Sequence, residues 1–264
     1  LKRIVILGGG RITGALLAGL HRSSYKASIV VHDRNPGKLR RLQKLFGVGI
    51  EKDLRRAVDQ AEILVIAVRP DSVSDLLRAI GPLKRKLHAV SLAAGIPIAK
   101  LRARLGPPVR WARAMPSPAF RTGRGLTAMT FDKGFSPSIQ KTLTDLFQRG
   151  GPVLVIPESR FDAFTVTYSS SHGYHALASL AASAEKTGLD RKTALIAASH
   201  ALADGILAWR ESGIGLESLL HEAATPGGIA AAVMKAMDDS GYQRAVSRGL
   251  AAGIRRARAN ARKA

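Results

Sequence analysis

Two patterns of apolar spacing divide this chain. Up to Pro157, short apolar runs alternate with segments of helical periodicity; beyond it the runs vanish and helical spacing continues. The runs Ile4–Leu7, Ile29–Val31, Ala61–Val68, His88–Leu92, Val109–Ala112, Leu126–Thr130 and Val153–Ile156 predict strands. Ala61–Val68 is apolar almost throughout, as a strand covered on both faces requires. Helices are predicted from Arg11, over Pro36–Phe46, near Ile98–Leu105 and over Ser136–Gln148, with Ser136 as N-cap and Asp71 opening another. This alternation predicts a mostly parallel, doubly wound sheet whose ligand lies at the carboxyl ends of the strands. After Pro157, helices are predicted over residues 158–186, 190–211, 216–223, 228–238 and 241–262. Alanines such as Ala176, Ala178, Ala181, Ala182 and Ala184 favour close helix packing. Such helices bury little alone, so pairing with a second subunit is expected.

The head of the chain carries the sharpest chemical signal. Ile4–Leu7 runs directly into Gly8-Gly9-Gly10-Arg11-Ile12-Thr13-Gly14 and then into helical sequence. A strand, a glycine turn and a helix N-terminus form the layout of a dinucleotide-binding unit. A tight turn at Gly8 and bare backbone at Gly10 admit a diphosphate, and the amides at Arg11 and Ile12 face its charge. The third motif position is Thr13 rather than Gly or Ala, and a ligand-free glycine turn is the competing reading. The second strand ends at His32-Asp33-Arg34-Asn35. Asp33 lies about 20 residues past the glycines, where an acid meets a ribose in NAD sites. Arg34 beside it suits the 2′-phosphate of NADP. The pair points both ways, with NADP favoured and NAD possible.

Bulk properties narrow the field. The 264 residues suffice for two domains, and 46% apolar content supports a substantial core. Without cysteine there is neither a disulfide nor a thiol nucleophile. No signal-like start and no apolar run near 20 residues is present, so no membrane association and a cytoplasmic location are expected. The net charge of +22 is the unusual property. It is densest after Asp239, where Arg244, Arg248, Arg255, Arg256, Arg258, Arg262 and Lys263 face no acid. Such a surface attracts polyanions. No nucleic-acid module is recognisable and aromatic platforms are scarce, so specific nucleic-acid binding is not expected.

Several further segments, in order, resemble the pyrroline-5-carboxylate reductase family. Ala67-Val68-Arg69-Pro70 is similar to the family's Ala-Val-Lys-Pro, and Ser91-Leu92-Ala93-Ala94-Gly95 to its Ser-Ile-Ala-Ala-Gly. Arg113-Ala114-Met115-Pro116 resembles Arg-Val-Met-Pro, with Gly123 and Gly125 beyond it. Asp162-Ala163-Phe164-Thr165 resembles Asp-Ala-Val-Thr, and Thr225-Pro226-Gly227-Gly228 resembles Ser-Pro-Gly-Gly. The resemblance implies an N-terminal Rossmann domain over residues 1–157 and a helical dimerisation and substrate domain over residues 158–264. It implies a homodimer or higher homo-oligomer that reduces a small cyclic imine, foremost 1-pyrroline-5-carboxylate to proline. Another imine or carbonyl, or a dinucleotide-binding protein without activity, are the alternatives. It extends the cofactor site to Ala67, Val68, Arg69, Pro70, Ala93 and Gly95. It places Met115, Pro116, Thr165, Ser171, Pro226, Gly227 and Gly228 at the substrate, the Pro-Gly-Gly turn holding a carboxylate on backbone amides.

Departures from the family pattern cluster at the substrate. Its Ser-Gly-Ser-Gly-Pro-Ala-Tyr reads here Tyr168-Ser169-Ser170-Ser171-His172-Gly173-Tyr174. Its Asn-Thr-Pro becomes Ser117-Pro118-Ala119, and the hydroxyl residue after its Gly-Gly becomes Ile229. His172 is a candidate proton donor to the imine nitrogen, set against a loop histidine that bonds only backbone. Ser170 and Tyr174 join it as catalytic candidates, Ser170 for orienting substrate or nicotinamide. Lys186 reads as a helix-end residue. His172 and His175 lack an evident third ligand, so no metal site is expected.

Overall fold

A computed structural model describes residues 2–263. The elements run β1 (Ile4–Leu7), α1 (Arg11–Arg22), β2 (Ile29–His32), α2 (Pro36–Phe46), β3 (Gly49–Ile50), α3 (Leu54–Asp59), β4 (Ile63–Ile66), α4 (Val73–Ile80), β5 (Leu87–Ser91), α5 (Ile98–Arg104), β6 (Val109–Pro116), β7 (Thr127–Phe131), α6 (Pro137–Gln148) and β8 (Val153–Val155). They continue with α7 (Glu158–Thr167), α8 (Ser171–Lys186), α9 (Arg191–Ser212), α10 (Leu216–Ala223), α11 (Ile229–Asp239) and α12 (Tyr242–Lys263). The strands form one sheet in the order β3-β2-β1-β4-β5-β6-β7-β8. Every pairing is parallel except β6 with β7. The doubly wound sheet expected from the alternation is therefore present.

Strand alternation sorts the core onto two faces. Ile4, Ile6, Val31, Ile63 and Val65 join Leu16 and Leu17 of α1, Leu39 and Leu42 of α2, and Leu143 of α6. Val5, Leu7, Leu64 and Ile66 point the other way, onto Val58, Leu77, Leu101 and Trp111. Each fully buried apolar side chain of this size contributes roughly 1.5–3 kcal/mol. Phe120 anchors the first face in a socket of glycines: a Cβ on Gly19 would lie 2.5 Å from its ring. Asn35 starts α2 where the sequence placed it, its side chain accepting from the amides of Gly37 and Lys38 ahead of a left-handed Gly47.

By packing, the described chain forms two compact units. One runs to Tyr168 and takes the chain in again from Ala252; the other is Ser169–Ala251. The change of composition falls earlier, after Pro157, because α7 packs with the sheet. Arg113 on β6 is 1% exposed and reaches α7 twice, with Nη2 2.7 Å from Asp162 Oδ1 and Nη1 3.4 Å from Glu158 Oε1. Its guanidinium carbon stands 4.3 Å from the centroid of the buried Phe161 ring. Glu158 Oε1 also accepts from the amide of Ile98 at 2.6 Å, so one carboxylate ties α5, α7 and β6. In the second unit α8 packs along α9, yet few side chains there are buried. Ala181, Ala194 and Ala198 are, whereas Leu195, Ile196, Ile206, Leu207 and Trp209 stay exposed in the single chain.

Four expectations need correction. The helix expected over residues 158–186 is two, α7 and α8, separated at Tyr168–Ser170. The amide of Tyr168 closes α7 on Phe164 O, and Ser169 Oγ receives the amide of Ser171. Consequently Ser171, His172 and Tyr174 belong to the first turn of α8 rather than to a loop. The strand expected over Val109–Ala112 continues to Pro116. Ser136 does occupy the N-cap of α6, but its hydroxyl meets Ser138 Oγ instead of capping an amide.

Candidate active site

The sheet order reverses direction between β1 and β4, and the crevice at such a switch is where open α/β sheets take ligands. There the chain places its glycine turn. Gly8 has φ +114°, and a Cβ on it would lie 2.6 Å from Ala67 O, so only glycine lets the end of β1 lie against that of β4. Thr13, the departure at the third motif position, is fully buried and donates its hydroxyl to Gly8 O. That lock on the turn has no signature in a spacing pattern, and sequence reasoning missed it.

Beyond the turn the backbone is open. A Cβ on Gly10 would meet nothing within 4 Å. Gly10 caps α1 without a side-chain bond, and the first amide to return into the helix is that of Gly14, to Gly10 O at 3.1 Å. The amides of Gly10, Arg11 and Ile12 have no protein acceptor among the described residues. Unused amides at a helix start concentrate positive potential. The fit to a diphosphate group is therefore one of backbone shape and charge together.

Asp33 is turned inward. Its Oδ2 accepts from the amide of Gly9 at 2.7 Å and lies 3.5 Å from Lys38 Nζ; its Oδ1 accepts from the amide of Asn35 at 2.8 Å. Burial alone pushes its carboxyl up, but the two amides and the lysine outweigh burial and hold it below its ordinary range. Arg34 is exposed and has no ion pair among the described residues. Of the two residues that pointed to different cofactors, the acid bonds the turn and the arginine is exposed.

The other expected residues of this unit lie along the same carboxyl edge. Ala67 and Val68 follow β4, Arg69 pairs loosely with Asp71 at 3.8 Å, and Pro70 starts a 3-10 turn. Ala93 and Gly95 follow β5. Gly95 has φ +76°, and its Cβ direction is filled by α12, whose Ala257 backbone would be 2.7 Å away. Asn260 Nδ2 donates to Ala94 O at 3.3 Å, fastening that crossing. Met115 and Pro116 finish β6, and Ser117 beyond them receives the Tyr168 hydroxyl at 3.2 Å. Thr165 donates its hydroxyl to Phe161 O of its own helix at 2.8 Å.

The second unit holds the remaining candidates in two groups. Ser170 is the N-cap of α8, followed by Ser171, His172 and Tyr174, all exposed. Pro226, Gly227 and Gly228 make a turn closed by the Gly228 amide on Thr225 O at 2.9 Å, with Gly227 at φ +76°. Gly228 then caps α11 without a side-chain bond, and Ala232 is the first to bond back to it. The amides of Ile229 and Ala230 thus have no protein acceptor among the described residues, a second anion-facing helix start. Lys186 ends α8, where the dipole favours it.

Comparison with known proteins places both units. A family model described as NADP oxidoreductase, coenzyme F420-dependent, matches residues 3–95. One described as pyrroline-5-carboxylate reductase dimerisation matches residues 158–260. Pyrroline-5-carboxylate reductase of Mycobacterium tuberculosis is 30% identical, over 93% of this chain and 92% of that protein. The Mycobacterium leprae protein of the same name is 32% identical, over 77% of this chain and 72% of its own. Among solved structures, 1-pyrroline-5-carboxylate reductase from Streptococcus pyogenes superposes with a TM-score of 0.89 at 22% identity, covering 98% of each chain. The Plasmodium falciparum pyrroline carboxylate reductase, solved with NADP bound, gives 0.87 at 19% identity over 98% of each. At those identities the two structures speak to the fold.

Proposed function

The chain belongs to the pyrroline-5-carboxylate reductase family, and from that premise we propose that it reduces 1-pyrroline-5-carboxylate to proline with NADPH. The observation that carries the cofactor half of this reading is the switch-point turn with its open Gly10 and unused amides. When bound, the nicotinamide supplies a hydride to the imine carbon. The amides of Gly10, Arg11 and Ile12 receive the diphosphate. Arg34 meets the 2′-phosphate with its planar fork, while Asp33 holds the turn and has acceptor capacity left for the ribose. Gly8, Ala67, Val68, Arg69, Pro70, Ala93 and Gly95 form the walls of that crevice. The turn Pro226-Gly227-Gly228 of a neighbouring subunit presents its α11 amides to the substrate carboxylate. Met115, Pro116, Thr165 and Ser171 flank the ring, Ser170 and Tyr174 orient it, and His172 gives the proton that the imine nitrogen takes as its carbon gains the hydride.

The protein works as a homodimer or larger homo-oligomer. The exposed apolar side chains of α9 are what such an assembly needs to cover. Among the described residues no helix is long and apolar enough to cross a membrane, and we assign the enzyme to the cytoplasm.

The deciding assay is NADPH oxidation with 1-pyrroline-5-carboxylate, beside pyrroline-2-carboxylate and piperideine carboxylates. Turnover is expected with the first, and His172→Ala should lower kcat about 10²-fold. Undiminished turnover in that variant removes the histidine from the mechanism. Failure with 1-pyrroline-5-carboxylate alongside activity on another imine moves the substrate assignment.

Cofactor choice is checked separately. Arg34→Ala should raise KM for NADPH at least about tenfold, in line with the loss of a charge-assisted bond of about 1.5–3 kcal/mol. KM for NADH should hardly change. Equal effects on both cofactors would show that Arg34 does not read the phosphate.

A further inference from the structure

The charge after Asp239 plays no part in the reaction above, and the structure gives it a place. From Arg255 onward α12 carries Arg255, Arg256, Arg258, Arg262 and Lys263, all exposed, and no acidic residue. None of them reaches a carboxylate among the described residues.

The opposite side of the helix fixes how it faces. Ala257 is buried where the α12 backbone crosses Gly95, and Asn260 bonds Ala94 O. At about 100° per residue, Arg255, Arg258 and Arg262 fall within about 60° of one another, on the side away from Ala257. Arg256 and Lys263 flank that row. The helix therefore cannot turn its basic side inward without breaking its own seat.

We propose that this face of α12 is a docking surface for the phosphate backbone of duplex DNA, read without regard to sequence. Arg255 to Arg262 spans about 10.5 Å of helix axis. One DNA strand sets a phosphate about every 3.4 Å of its axis, so about three phosphates face that length. Guanidinium forks bind phosphate oxygens two at a time. The face bears no aromatic or large aliphatic side chain. It therefore lacks the apolar anchor by which amphipathic helices enter a lipid surface, and it has no group placed for reading base edges.

The test uses the full-length protein and two fluorescent 20-base-pair duplexes of unrelated sequence, followed by anisotropy between 50 and 200 mM salt. The wild type should bind both duplexes alike. R255Q/R258Q/R262Q should make the slope of log K against log salt shallower by about 2.7, from about 0.9 per phosphate contact. Over that fourfold salt range, the wild type then loses about 40-fold more affinity than the variant. Reductase turnover and Tm should stay as in the wild type, since glutamine suits an exposed helix. R40Q/R41Q/K44Q on α2 removes equal charge and should leave the slope nearly as it was. An equal flattening by both triple variants would overturn the proposal, because diffuse net charge would then suffice. So would dissociation of the oligomer by the α12 variant, or an effect of that variant on binding to phosphatidylserine vesicles with none on DNA.

Discussion

Arg113→Met should destabilise the protein by about 3 kcal/mol, the low end of the cost of breaking a buried ion pair. The guanidinium is 1% exposed and stands between Asp162 and Glu158. Methionine fills a similar volume over Phe161 but leaves both carboxylates without their cation. Those carboxylates are 31% and 36% exposed, so water recovers part of the loss, which keeps the figure from the upper end. The variant Arg113→Met/Glu158→Gln/Asp162→Asn should regain most of the stability, because no uncompensated charge remains. Urea melts of the three proteins decide the matter. A single variant as stable as wild type would mean that the pairs contribute nothing net, and a triple variant as unstable as the single would mean that lost packing is the cause.

Arg113 also marks where the sequence stops being readable. A charged residue on the inward side of an alternating strand, in line with Val109 and Trp111, looks like the strand's end, so Val109–Ala112 is all that periodicity supports. The strand continues because carboxylates 45 and 49 residues later converge on that arginine. Nothing local signals such a convergence. By contrast α2 lies where it was expected, because Asn35, Pro36 and Gly47 mark both of its ends through backbone chemistry alone. β3 and α3 were not legible: two and six residues are too few to show a period. α7 and α8 read as one helix because the break at Tyr168–Ser170 contains neither glycine nor proline. Its agents are Ser169 Oγ and the Tyr168 amide, whose bonds a pattern does not encode.

The candidate site divides along the same line. The glycine turn and the Pro-Gly-Gly turn were legible because each rests on backbone geometry that few residues permit. The roles of Asp33 and Thr13 were not. Which amide an acid meets depends on the loop that approaches it, and the Gly9 amide meets this one. Thr13 could be seen only as a departure from the motif, although its hydroxyl holds the motif's first glycine.

Gly10→Asp should leave the fold intact and cost about 100-fold in NADPH affinity. The position tolerates a side chain: φ is −79° and ψ −170°, ordinary extended backbone, and a Cβ there meets nothing within 4 Å. Aspartate is moreover a favoured N-cap, accepting from the amides of the second and third helical residues, here Ile12 and Thr13. Tm should therefore hold or rise slightly. The same bonds consume an amide the diphosphate needs, and the new carboxylate stands where its charge would sit. Two unit charges about 4 Å apart near a protein surface oppose each other by about 4 kcal/mol before further solvent screening; about 3 kcal/mol corresponds to the stated loss. Gly10→Asn separates the two causes. It caps the helix equally well without charge, so it should lose affinity by a smaller factor at the same Tm. Fluorescence titration of NADPH against both variants reads the outcome directly. Undiminished binding by a folded Gly10→Asp protein would mean that the diphosphate lies elsewhere, and the assignment of the β1–β4 crevice as the cofactor site would fail with it.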